Sequence, residues 1–98
     1  MNVNIIKGLK GQGLVSNTIE QVESEGRIVK YLVLNYQTTT LEIGGALDII
    51  LRVNKNIDTQ NLTIILDNNR ATGEQVKDAL EIIKLKAPNC NVIIVEVS

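Results

Sequence analysis

Residues 14–22, LVSNTIEQV, decide the fold. Read as a strand, they form the middle of three consecutive extended segments, and the chain opens as a meander. Val15 and Ile19 then lie on one face and Leu14 and Val22 on the other, as alternation requires. Upstream, Val3 to Ile6 is a short β-branched run ending at Lys7-Gly8, and Gly8, Gly11 and Gly13 punctuate the loop that follows. Downstream, Ser24-Glu25-Gly26 is a turn signal. Arg27 to Tyr36, RIVKYLVLNY, is a strand rich in β-branched and aromatic residues.

The second half reads differently. A helix is predicted from Leu41 to Asn54, with Thr39 and Glu42 at capping-box spacing. At about 100° per residue, Asp48, Arg52 and Lys55 share a polar side. Glu42 falls with Ala46, Ile49 and Val53 on an apolar side that is expected to face the core. Gly44-Gly45 costs roughly 1 kcal/mol per residue inside a helix, so close approach of this helix to the sheet is expected. Leu62 to Leu66, LTIIL, is a continuous apolar run suited to a strand buried on both faces, and Asp67-Asn68-Asn69 follows as a turn. A second helix spans Gly73 to Lys86, capped by Thr72 with Gln75, with Val76, Ala79, Leu80 and Ile83 as its inner stripe. Asn91 to Val97, NVIIVEV, is the last strand. The predicted order is β-β-β-α-β-α-β in one domain, residues 1–98: an α/β (α+β) chain with a five-stranded mixed sheet. Its first three strands should be antiparallel, and its last two parallel to a neighbour.

Composition narrows the function. Ten basic and eleven acidic residues leave a net charge of −1, which disfavours nonspecific binding to a phosphate backbone and a polybasic membrane anchor. There is no histidine and one cysteine, so the commonest general base is missing and no thiolate zinc site can form. Cys90 reads as a small residue at a strand entry. Two tyrosines are the only aromatic residues, too few for a base-stacking platform. No apolar run approaches the roughly 20 residues of a membrane span. A cytoplasmic protein without a cofactor or resident metal is expected.

The element order and spacing resemble the ribonuclease H-like fold over Asn2 to Val97. In that family the first strand ends in an aspartate before a glycine; here NIIKG places Lys7 there. The family's first helix opens with a glutamate, matched by Glu42, and its fourth strand ends in an aspartate, matched by Asp67. The resemblance implies a two-magnesium phosphodiesterase site in degenerate form, with Lys7 standing among Glu42 and Asp67 where a metal would sit. The plainer readings are Glu42 as a capping-box residue, Asp67 as an Asx-turn former and Lys7 as a solvated strand end.

The loop Gly8-Leu9-Lys10-Gly11-Gln12-Gly13 fits neither the dinucleotide fingerprint nor the P-loop. With a strand expected after it, it reads as a hairpin connection. Three functions follow from the sequence. The favoured one is a non-catalytic interaction module that binds a protein partner, or itself, as a regulator, inhibitor or adaptor. The second is a nucleic-acid-binding relic of the nuclease fold, using Lys7, Lys10, Arg27 and Lys30. The third is a residual magnesium-dependent nuclease with Glu42 and Asp67 as its catalytic carboxylates.

Overall fold

The computed structural model describes residues 1–53, 56 and 58–97. The expected end of the first predicted helix at Asn54, and Lys55 on its polar side, lie outside the described residues. The elements run β1 (Asn2–Gly8), α1 (Leu14–Ser24), β2 (Ile28–Asn35), α2 (Thr40–Val53), a 3₁₀ turn (Thr59–Asn61), β3 (Leu62–Asn69), α3 (Gly73–Lys86) and β4 (Asn91–Val97).

The five-stranded mixed sheet is not formed, and the ribonuclease H-like arrangement fails with it. Among the described residues the sheet has four strands in the order β1-β4-β3-β2, and every strand-to-strand pairing is parallel. The cause is one element. Residues 14–22 belong to α1, so a helix joins β1 to β2 and returns the chain for a parallel strand. Leu14, Val15, Thr18, Ile19 and Val22 recur at i, i+1, i+4, i+5 and i+8, a stripe with helical period. Thr18 and Val22 are buried. Thr18 Oγ1 donates to Leu14 O at 2.6 Å, which satisfies the hydroxyl so that it can sit in an apolar stripe. The result is an open α/β sheet with helices on both faces.

Register assigns the faces. Leu62, Ile64 and Leu66 of β3 join Leu34, Val92 and Ile94 in a core closed by Ile43 and Leu47 of α2 and by Ala79 and Ile83 of α3. Thr63, Ile65 and Asp67 point to the other face, where α1 packs on β2, β3 and β4. The run Leu62–Leu66 is buried throughout, as expected for a central parallel strand. The edge strand β1 leaves Val3 and Ile5 exposed.

The helix α3 has the expected bounds and cap. Thr72 Oγ1 accepts from Gln75 N at 3.1 Å, and Gln75 Oε1 accepts from Thr72 N at 2.8 Å, a complete capping box. In α2 the inner face differs from the expectation. Ile43 and Leu47 are its buried residues, whereas Glu42 is exposed and Ile49 and Val53 are 60% and 76% exposed. The stripe that holds Glu42 therefore faces away from the core.

Candidate functional site

The three residues of the expected degenerate site do not meet. Lys7 is on β1 and Asp67 on β3, with β4 between them. They also point to opposite faces: Lys7 is registered with Glu96 and Asn68, and Asp67 with Val95. Lys7 Nζ lies 3.8 Å from Glu96 Oε2 in a solvent-exposed pair. Glu42 lies in the first turn of α2, where its N–H donates to Thr39 Oγ1 at 3.2 Å. Asp67 Oδ2 accepts from the Tyr31 hydroxyl at 2.5 Å. The Asx-type bond expected of Asp67 is made instead by Asn68, whose Oδ1 accepts from Ala71 N at 3.0 Å. Among the described residues, no group of three or more His, Cys, Asp or Glu is placed to hold a metal ion. The topology and the convergence of carboxylates on which the degenerate-site expectation rests are therefore both absent among the described residues.

The four basic residues are also dispersed. Lys7 and Lys10 sit at the carboxyl end of β1, on one edge of the sheet. Arg27 precedes β2 at the opposite edge and the opposite end. Its guanidinium is engaged within the fold: Nε donates to Thr63 Oγ1 at 2.8 Å and Nη2 to Gln60 O at 2.7 Å. Lys30, within β2, lies on the α2–α3 face by its register with Ile64. The loop before α1 is not a hairpin connection. Gly11 and Gly13 have positive φ, and Gly13 leads into α1 without a side-chain cap.

What the structure does assemble is a groove between α2 and α3, with a volume of about 790 Å³. From α2 it is lined by Leu41, Gly44, Gly45 and Asp48, spaced i, i+3, i+4 and i+7 along one face. From α3 come Asp78, Glu81, Ile82 and Leu85, with the same spacing. Lys86 closes one stretch of the floor. Its Nζ is 2.7 Å from Asp48 Oδ1, and its Cε would lie 3.6 Å from a Cβ at Gly44. The expectation that Gly44-Gly45 brings α2 close to the sheet is therefore not met. Gly44 faces α3, and a Cβ at Gly45 would meet nothing within 4 Å. Leu41 and Leu85 rim the groove at 87% and 82% exposure.

Among the described residues, two titratable groups are displaced. Burial, assisted by the hydrogen bond and the charge of Asp67, pushes the Tyr31 phenol up to about 12. Burial pushes the Cys90 thiol up as well, which keeps it in the unreactive thiol form. Neither group lines the groove.

No family model matches the chain, and no curated protein matches it significantly. A solved structure of the ORC2 protein of Aeropyrum pernix, in ADPNP–ADP complexes, aligns at 18% identity with a TM-score of 0.46. The alignment covers 99% of this chain and 35% of that one, so the chain spans about a third of that protein's length.

The groove residues carry a sequence signal of their own, apart from any catalytic pattern. Asp78, Glu81, Ile82 and Leu85 form a second stripe on α3, beside the inner stripe of Val76, Ala79, Leu80 and Ile83. Leu85 is apolar yet lies off the core-facing stripe. Two adjacent glycines in a helix of otherwise good formers point to the same surface.

Proposed function

We propose that this chain is a small, non-catalytic interaction module that binds a protein partner through the α2–α3 face. The observation that carries the reading is Gly44-Gly45. Each glycine costs about 1 kcal/mol of helix stability relative to alanine, and nothing inside the fold requires it. Gly45 faces open space, and Gly44 meets only the stem of Lys86 at ordinary contact distance. A bare helix backbone beside two exposed leucines supports a surface kept open for another backbone. No described helix is long and apolar enough to cross a membrane, and a lone buried cysteine suits a reducing cytoplasm.

The test is cross-linking and affinity capture from native extract with the unmodified chain and with Gly45→Trp, which fills the groove. The expected result is a complex formed by the first and lost in the second. Equal capture by both, or a chain that migrates alone in native extract, overturns the reading.

A further inference from the structure

We infer that the α2–α3 groove receives a basic amphipathic helix of a partner protein. This inference rests on the interaction reading above and names the chemistry of the partner. The groove carries three carboxylates, Asp48, Asp78 and Glu81, against one ammonium, Lys86, a net charge of −2. Asp48 is already held by Lys86 at 2.7 Å. Asp78 and Glu81 have no cation within ion-pair distance among the described residues, although Lys77 and Lys84 lie on the same helix. Two carboxylates one helical turn apart thus stand beside an apolar strip made of Leu41, Ile82 and Leu85.

That arrangement selects among occupants. A helix laid in the groove would place apolar residues at i, i+3, i+4 and i+7 on the strip. The missing Cβ of Gly45, which faces open space, lets that helix's backbone come close, and lysines or arginines flanking its apolar face would meet Asp78 and Glu81. A second copy of this chain in an isologous contact would set one acidic groove against another, which like-charge juxtaposition disfavours. A small ligand is normally buried over most of its surface, whereas walls that leave Leu41 and Leu85 more than four-fifths exposed enclose little.

The probes are two designed 18-residue helical peptides with one leucine pattern, flanked by lysines in one and by glutamates in the other. Binding is followed by fluorescence anisotropy and by amide chemical shifts of the ¹⁵N-labelled chain. The lysine peptide should bind at least tenfold more tightly and shift the amides of Gly44, Gly45 and Ile82. The double variant Asp78→Asn/Glu81→Gln should weaken it about tenfold, and Gly45→Trp should weaken both peptides; thermal melts confirm that the variants fold. Equal affinity for the two peptides, shifts centred on the β1 edge or on Ile49 and Val53, or no binding of either overturns the inference. Capture from native extract separates the two readings. A complex lost in Gly45→Trp but kept in Asp78→Asn/Glu81→Gln defeats the basic partner and leaves the interaction reading standing. A complex kept in both defeats the interaction reading itself.

Discussion

Gln75 Nε2 lies 2.9 Å from the carbonyl oxygen of Tyr36 and 3.1 Å from that of Asn35. The same side chain closes the capping box of α3 through its Oε1. One residue therefore caps a helix and anchors the loop between β2 and α2, which sets the position of α2 against α3. Thr72→Ala should cost about 1 kcal/mol, the usual loss of a cap. Gln75→Ala removes the cap partner and also takes this donor from the carbonyls of Asn35, Tyr36 and Thr38, and should cost about 2 kcal/mol. Gln75→Glu keeps the acceptor for Thr72 N but cannot donate to the carbonyls, so it should fall between wild type and alanine. Urea denaturation of the three variants checks the order. An alanine variant at position 75 no less stable than that at 72 would show that the loop does not depend on it.

The Tyr31–Asp67 hydrogen bond predicts a pH effect. Burial first, then Asp67, holds the phenol protonated up to about 12 in the folded chain, against an ordinary value of 10.0. The folded state thus retains a proton that the unfolded state releases. The contribution to stability is fully present below pH 10 and is lost as the pH rises from about 10 to 12. In a Tyr36→Phe background only Tyr31 absorbs as phenolate, so ultraviolet titration should show one transition near 12. Asp67→Asn should lower that midpoint without returning it to 10, because burial remains. A midpoint unmoved by Asp67→Asn would remove the carboxylate from the explanation.

Arg27 illustrates how a basic residue that reads as a phosphate contact serves the fold instead. Its Nε–H serves Thr63 Oγ1 in the core strand β3, and Thr63 is only 1% exposed. Its Nη2 ties down the 3₁₀ turn through Gln60 O. Hydrogen bonds from a charged donor are worth about 1.5–3 kcal/mol, so Arg27→Ala should lose an amount in that range by chemical denaturation. Nucleic-acid affinity at low salt, measured in parallel, should be no different from that of the unmodified chain. A stable variant with reduced nucleic-acid binding would restore the phosphate-contact role.

The parts of the fold legible in the sequence are those where one local signal dominates. The run Leu62–Leu66 and the strand Asn91–Val97 are continuous apolar segments, and they form the central parallel strands. The cap and bounds of α3 follow from Thr72 and Gln75. At α1 the signal is divided. Thr18 occupies the middle of the buried stripe and dilutes its helical period, and Gly13 supplies no side-chain cap. That single element turns an antiparallel meander into an all-parallel sheet, because a helix between β1 and β2 reverses the direction of the return. In α2 the difficulty is an excess of apolar residues. Leu41, Ile49 and Val53 lie outside the core alongside buried Ile43 and Leu47, so periodicity alone does not choose the inner face. In the sequence the groove shows only as two adjacent glycines, which read there as a close approach to the sheet, since its other wall comes from a helix more than thirty residues away.

Burial at Cys90 gives a direct probe of global opening. The thiol is wholly enclosed at the entry to β4, and burial raises its pKa. A thiol reagent at neutral pH should therefore leave the native chain unlabelled and react at once in denaturant. Labelling rates at intermediate urea should follow the unfolded fraction. Fast labelling in native buffer would mean that the end of α3 opens locally, away from global unfolding.

The glycine pair gives the sharpest test of how this surface is used. Both glycines have ordinary helical backbone within α2, without a positive φ, so alanine fits the helical geometry at both positions. A Cβ at Gly45 meets nothing within 4 Å, and one at Gly44 meets Lys86 Cε at 3.6 Å, an ordinary contact. Alanine also lowers the conformational entropy of the unfolded chain. Gly44→Ala and Gly45→Ala should each stabilise the isolated domain by about 0.5–1 kcal/mol, read as a higher denaturation midpoint. In the complex, the same methyl groups would stand between the helix backbone and its partner, so affinity should fall while stability rises. Opposite movement of the two quantities is the signature of a surface held open at the expense of stability. If both variants lost stability, the glycines would serve the fold itself, and the principal support for a docking groove would be gone.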